Sequence, residues 1–467
     1  MITIRAGGMR NQTRMRSLAN YVLRLGKALM LGGSLLVLLV AMVIVGCEQT
    51  SSPSSPNPID STSAFKASDF EPATSCKTCH PRHFDEWSGS MHAYALQDPA
   101  FLALRRVGQS QYINALNGLC EGCHSPIGAR SNEIKWGPIA AEDLSPVTQE
   151  GIGCDVCHTV TSLSRLSNAG FLLTPGNTKH GGLRDPQPNV HHASAFNDLY
   201  QSSEYCGSCH DLVTDAGLGL ETVFQEWRKS GFQSTGKTCS DCHMTAYSGV
   251  AAIGGQVRTV HDHRFIGADI ALIDFPNRDN QLAKVTEMLR GALTVSHDIP
   301  TTITAGSILP IQITLTNDKT GHDVPSGVPF IRQIWLFVIM RNQQGDTVYA
   351  SGQLDANGDL MDNHSAYPER DHDLFNTQAT MMRADSSETG FPWDAALLTN
   401  PSIKPGEIRI VDYQIPVPDG VSGTLSIEVK LRFRSFPPYV IRSLGLAYLL
   451  PIPVIDMAEF QQTVTIQ

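Results

Sequence analysis

The chain has 467 residues, with 35 Lys and Arg, 45 Asp and Glu, 16 His and 11 Cys. A hydrophobic share of 41% with 17% charged residues fits a globular protein of roughly two to four domains and excludes a wholly disordered one. A net charge of −10 argues against a nucleic-acid binder, and a single long apolar run excludes a polytopic membrane protein.

The charge is uneven. Residues 1–46 hold six basic residues and no acid, so the rest carries 29 basic against 45 acidic, a net of −16. The Arg-rich start followed by the apolar run Ala28–Gly46 reads as a signal peptide or an uncleaved membrane anchor. The run ends Ile44-Val45-Gly46-Cys47, which resembles a bacterial lipobox and makes Cys47 the candidate lipidation site. Either form leaves the bulk of the chain exported and membrane-anchored, facing the periplasm or the cell surface. Residues 47–69 are rich in Ser and Pro and read as a tether.

Residues 70–270 contain the other ten cysteines, all in pairs: Cys76 and Cys79, Cys120 and Cys123, Cys154 and Cys157, Cys206 and Cys209, Cys239 and Cys242. Each pair has the C-x-x-C spacing and is followed at once by a histidine: His80, His124, His158, His210 and His243. Composition alone would produce roughly 0.01 such motifs. Two thiols at this spacing lie on one side of a helical turn and can add to the two vinyl groups of a haem. The next residue then turns its imidazole under the ring as an iron ligand. A dithiol, a zinc ribbon or a disulfide framework needs no such histidine. The chain is therefore expected to carry five covalent haem c groups in a loop-rich, mainly α domain. Short helices are expected at Pro99–Val107, Gln111–Asn117 and Thr222–Lys229.

Eleven histidines remain as candidate second ligands. One ring of His191 and His192 is expected to reach an iron, with His192 preferred. His180 lies in a Gly-rich loop open enough for close approach to a porphyrin. His83, His297, His364 and His372 read as solvated or locally hydrogen-bonded.

Residues 271–296 form a connector, with Leu282, Val285 and Leu289 at helical spacing within Asn277–Ala292. Residues 297–467 change texture. Ile308–Asn317, Gln333–Arg341, Thr347–Gln353, Glu407–Val417 and Gly423–Phe433 read as strands of an antiparallel β-sandwich of immunoglobulin-like character. Residues 342–346 read as a hairpin loop. The acidic segment Asp355–Asp373 lacks EF-hand spacing and reads as a solvated loop.

The segment Cys76–Ala93 resembles the multihaem cytochromes related to cytochrome c-554 and hydroxylamine oxidoreductase, with Trp87, Ser90 and His92 matching a Trp-x-x-Ser-x-His run. Gly151-Ile152-Gly153, Glu226-Trp227 with Ser230, and His261 to Ala268 are similar to later elements of those proteins. Asn317–Gly327 is similar to a Gly-His-x-x-Pro-x-Gly loop of extracellular multihaem cytochromes, and Lys430–Leu444 also resembles them. The resemblance implies His92, one of His263 and His261 (His263 preferred), and His322 as iron ligands. The motif count of five departs from the four of the cytochrome c-554 type and the eight of the oxidoreductases.

These residues predict an electron carrier with mostly bis-His haems. Its partners would be redox proteins, such as other cytochromes or a membrane quinol-oxidising complex, and the layout is compatible with self-assembly. The alternative is a redox enzyme acting on a small nitrogen or sulfur oxyanion, such as nitrite or hydroxylamine, at one five-coordinate haem. It would lack the C-x-x-C-K motif of the commonest pentahaem nitrite reductases.

Overall fold

Cysteine pairs spaced through 170 residues of loop-forming sequence leave little room for long helices. The computed structural model describes residues 65–467 apart from 112–117, 136 and 215. The export segment, Cys47, most of the tether and the helix expected at Gln111–Asn117 lie outside the described residues, except for Gln111 itself. Among the described residues no helix is long and apolar enough to cross a membrane.

The motif region joins short helices to four small ladders. These pair β1 (Val160–Leu163) with β2 (Phe171–Leu173), β3 (Thr178–Gly181) with β4 (Ala193–Phe196), β5 (Leu212–Val213) with β6 (Gly219–Glu221), and β7 (Ala246–Val250) with β8 (Val257–His261). The β3–β4 pair is parallel and the others are antiparallel. The expected helices appear at Pro99–Gln111 and Val223–Lys229.

The connector is a helix over Arg278–Arg290, and Leu282, Val285 and Leu289 face the C-terminal core as their spacing requires. Its buried Gln281 reaches the other way. The side chain donates to Gly89 O at 2.9 Å and accepts from Ala271 N at 2.8 Å. One helix thus fastens the motif region to the sheets.

The C-terminal region contains β9 (Thr294–Asp298), β10 (Thr302–Ile303), β11 (Ile308–Thr316), β12 (Gln333–Arg341), β13 (Thr347–Ser351), β14 (Thr380–Met382), β15 (Leu397–Thr399), β16 (Ile408–Pro416), β17 (Gly423–Arg434) and β18 (Ile455–Ile466). Five strands run in the order β10-β18-β17-β12-β13, and three in the order β16-β11-β9. Alternate residues of β11, β12 and β17 enter one apolar core, including Leu309, Ile313, Leu336, Val338, Ile427 and Val429. The ladders are antiparallel except β10–β18, which is parallel and departs from the expected pattern. The strands also begin at Thr294, ahead of the 297 boundary.

The interior strand β18, between β10 and β17, has no counterpart among the expected strands. A register shift in the β17–β18 ladder at Leu431/Arg432 changes which residues of β18 face inward. Ile455 and Val464 are both buried, so its apolar residues read as two pieces out of phase.

The acidic segment is engaged rather than solvated. Asp355 accepts from Asn357 N and Asp359 N, Asp371 from Ser351 Oγ and Gly352 N, and Asp359 from Tyr439 N while pairing with Arg442. Here the carboxylates take the backbone donors that loops leave unpaired.

Next to this segment His364 bridges Asp362 (3.2 Å) and Glu388 (2.9 Å) and stacks on Tyr439 with ring centroids 4.1 Å apart. Burial works against its charged form, but the two carboxylates outweigh burial and raise the imidazole from 6.5 to about 8. A raised folded value stabilises fully below the unfolded value and loses that contribution as pH rises through the folded one. Thermal melts of the C-terminal region should therefore show a loss of about 1–2 kcal/mol between pH 6.5 and pH 8.5. His364→Gln should lack this pH-dependent component.

Candidate haem-binding sites

Each Cys pair sits on one helical turn. The backbone N–H of His80 donates to Cys76 O, and that of His210 to Cys206 O, both at 2.9 Å. The other motifs lie within the helices Leu119–His124, Cys154–His158 and Cys239–His243. Both thiols and the following imidazole thus share one side of a turn.

All five of these imidazoles have Nδ1 against an oxygen. His80 meets Ala251 O at 2.7 Å, His124 meets Ala95 O at 2.9 Å, His158 meets His180 O at 2.7 Å, and His243 meets Ile266 O at 2.5 Å. His210 differs, with the Glu221 carboxylate at 3.1 Å. A donor bond at Nδ1 leaves Nε2 with its lone pair, as a metal ligand requires.

Four of the five face a second imidazole. Ring centroids are 6.2 Å apart for His80 and His192, 6.5 Å for His158 and His263, 6.3 Å for His210 and His92, and 6.2 Å for His243 and His322. Three of these second histidines also have Nδ1 against a carbonyl: His192 at Ala193 O, His263 at His261 O and His322 at Asp323 O. His92 Nδ1 is buried with no hydrogen-bond partner, an orphaned lone pair that suits a metal ligand. Burial pushes His92 and His263 down to about 3 and His243 to about 4, so these rings are neutral and can coordinate.

His124 has no such ring opposite it among the described residues. The Phe101 ring lies on it instead, 3.8 Å away at 8°. His180 approaches His158 through its backbone carbonyl, and its own ring pairs with none of the five motif histidines among the described residues. Its loop does pass close to a motif, as expected, but it supplies an acceptor there. His261 Nδ1 donates to Met244 O at 2.7 Å, and its carbonyl holds His263.

Local contacts explain the pattern around His92. Ser90 caps the turn Met91–Tyr94, accepting from Ala93 N at 3.3 Å. Trp87 Nε1 donates to Ile152 O at 2.8 Å, and Ile152 N donates to His92 O at 3.1 Å. Gly151, at φ +64°, passes so close that a Cβ there would lie 2.9 Å from His92 O and 3.3 Å from His124 O. At His322, the Glu226 carboxylate accepts from Asp323 N and Ser326 Oγ, and Asn317 Nδ2 donates to His322 O at 2.9 Å.

His83, expected to be solvated or locally hydrogen-bonded, does bond locally and also adjoins one of these pairs. His83 lies 4.5 Å from the His263 ring, and its Nδ1 is 3.3 Å from Glu86. Burial opposes a charged Glu86, but bonds from His83, Arg82 and His263 N outweigh it and hold this carboxyl at about 2. The ligand atoms of His83, Glu86 and His263 are close enough to hold a metal ion, yet His263 also faces His158.

The thiols relate the motifs to one another. Cys76 contacts Cys154, Cys123 contacts Cys209, and Cys206 contacts Cys239. The first motif therefore adjoins the third, the second adjoins the fourth, and the fourth adjoins the fifth.

A family model described as cytochrome c554 and c-prime matches residues 75–159. The chain also resembles the crystal structure of a penta-heme cytochrome c552 from Thermochromatium tepidum, with a TM-score of 0.62 and 18% identity over 85% of this chain and 99% of that chain. A CARDB domain from Pyrococcus furiosus aligns with 37% of this chain and 91% of that one at 8% identity, and its TM-score of 0.17 carries no weight. No curated protein matches. The motif region has a multihaem-cytochrome-like fold, followed by a region rich in antiparallel strands.

Gly151→Ala should destabilise the motif region by about 1–3 kcal/mol, because it adds left-handed strain to the contact with His92 O. A thermal melt followed by circular dichroism would read this, and an unchanged melt would remove the proposed close approach.

Proposed function

We propose that this protein is an exported pentahaem c-type cytochrome that transfers electrons through closely packed haems. The observation that carries the reading is the spacing of the four ring pairs. Two imidazoles bound to one iron from opposite sides, at metal–nitrogen distances of about 2 Å, have centroids roughly 6.3 Å apart. The four pairs lie at 6.2–6.5 Å. The thiols, His80, His124, His158, His210 and His243 would hold the five haems. His192, His92, His263 and His322 would close four of them.

Bis-His ligation keeps iron six-coordinate in both oxidation states, so an electron can pass with little rearrangement and no substrate position. The thiol contacts support two runs of adjoining haems, the first beside the third, and the second and fifth on either side of the fourth. The strand-rich region, read as an immunoglobulin-like sandwich, serves as a docking module and lends His322 to the fifth haem. Cys47 lipidation or the apolar run would anchor the protein to a membrane, facing the periplasm or the cell surface. Haem propionates add to an acidic chain, so redox partners should present a basic face and dissociate more readily as salt rises.

His124, which faces no second imidazole among the described residues, supports a second reading. An iron there would keep an open position, and a small nitrogen or sulfur oxyanion could bind it. Mass spectrometry should count five haems, and low-temperature EPR of the oxidised protein should show four low-spin irons and one high-spin iron. A high-spin signal indifferent to nitrite and hydroxylamine keeps the carrier reading, whereas a shifted signal favours the enzyme. Fewer than five haems overturns the proposal.

The His322→Ala variant should keep all five haems and gain one further high-spin iron. An unchanged EPR spectrum would remove the strand-rich region from haem ligation.

A further inference from the structure

The motif histidines differ in what holds Nδ1. Four face neutral carbonyls, and His210 alone faces a carboxylate. We propose that Glu221 is a positioning residue that makes the haem on Cys206 and Cys209 the lowest-potential member of the chain. This rests on the pentahaem reading above.

A carboxylate on Nδ1–H draws the proton towards itself and leaves the imidazole more electron-rich. The stronger donor and the nearby negative charge both favour ferric over ferrous iron. Glu221 ends β6, opposite Leu212 of β5, so a ladder two residues past His210 sets its position. Arg332 interacts with Glu221 through charge, but its guanidinium hydrogen bonds are already committed. It grips Asp269 with both terminal nitrogens and donates from Nε to Ser326 O at 3.2 Å.

The position matters because of its neighbours. Cys209 contacts Cys123 of the second motif, and Cys206 contacts Cys239 of the fifth. The haem that Glu221 poises therefore lies between the second and the fifth, and electrons passing between those two climb through it.

Glu221→Gln tests this, because the amide oxygen still accepts from Nδ1 while the charge is lost. Mass spectrometry first counts haems in both proteins. A count below five overturns the pentahaem reading on which the inference rests. With five haems in each, a spectroelectrochemical titration follows. The lowest-potential step should rise in the variant by at least tenfold in its ferrous-to-ferric ratio at fixed potential, about 59 mV for one electron. The Glu221→Asp variant, which keeps the charge, should restore most of the wild-type step. An unmoved lowest step, or five steps moving together, overturns the inference.

Discussion

An imidazole can give one nitrogen to a proton and the other to a metal, and the motif region is arranged around that constraint. The oxygens on Nδ1 of the five motif histidines come from Ala251, Ala95, His180, Glu221 and Ile266, all outside the motif they serve. The bond that selects the tautomer is thus also a tertiary contact. Short helices and two-stranded ladders suffice as scaffold because their work is to deliver one oxygen each. The apolar clusters among the motifs are small, and porphyrin faces would complete them.

The strand-rich region follows different physics. Its core is built from alternating side chains of two sheets and owes nothing to a cofactor. Contact with the motif region runs through apolar clusters, Ala100 and Ala103 against Ile441 and Leu446, and Leu220 against Phe330 and Met381, and through polar groups: Gln281 of the connector, Arg332 on Asp269, and Glu226 beneath the His322 loop. These side chains set where His322 stands relative to His243. A region that contributes no cysteine can in this way take part in an electron path.

Much of this was legible in the sequence, for reasons that differ by element. The C-x-x-C-H spacing is local chemistry and needs no fold to be read. The connector and most core strands announce themselves by periodicity. The strand β18 did not, because the register shift changes the phase of its apolar residues. The preferred His192 and His263, and also His92 and His322, lie opposite motif imidazoles, while His180 contributes a carbonyl. Flanking glycines signal an exposed backbone but do not say whether ring or carbonyl will be used. His83 and Glu221 had no pattern at all. His83 meets His263, 180 residues along the chain, and Glu221 meets His210, 11 residues back, relations that motif spacing alone does not express.

The distance along the chain between a thiol and its distant partners sets a timetable. Cys76 and Cys79 are synthesised well before His192, which faces their histidine, and before Ala251, which orients it. Attachment needs only a turn of helix, whereas ligation needs the fold. A newly made chain would therefore hold its first haem covalently while the iron still lacked its native axial partner. The first haem attached would then be among the last to be held by all the residues that orient it.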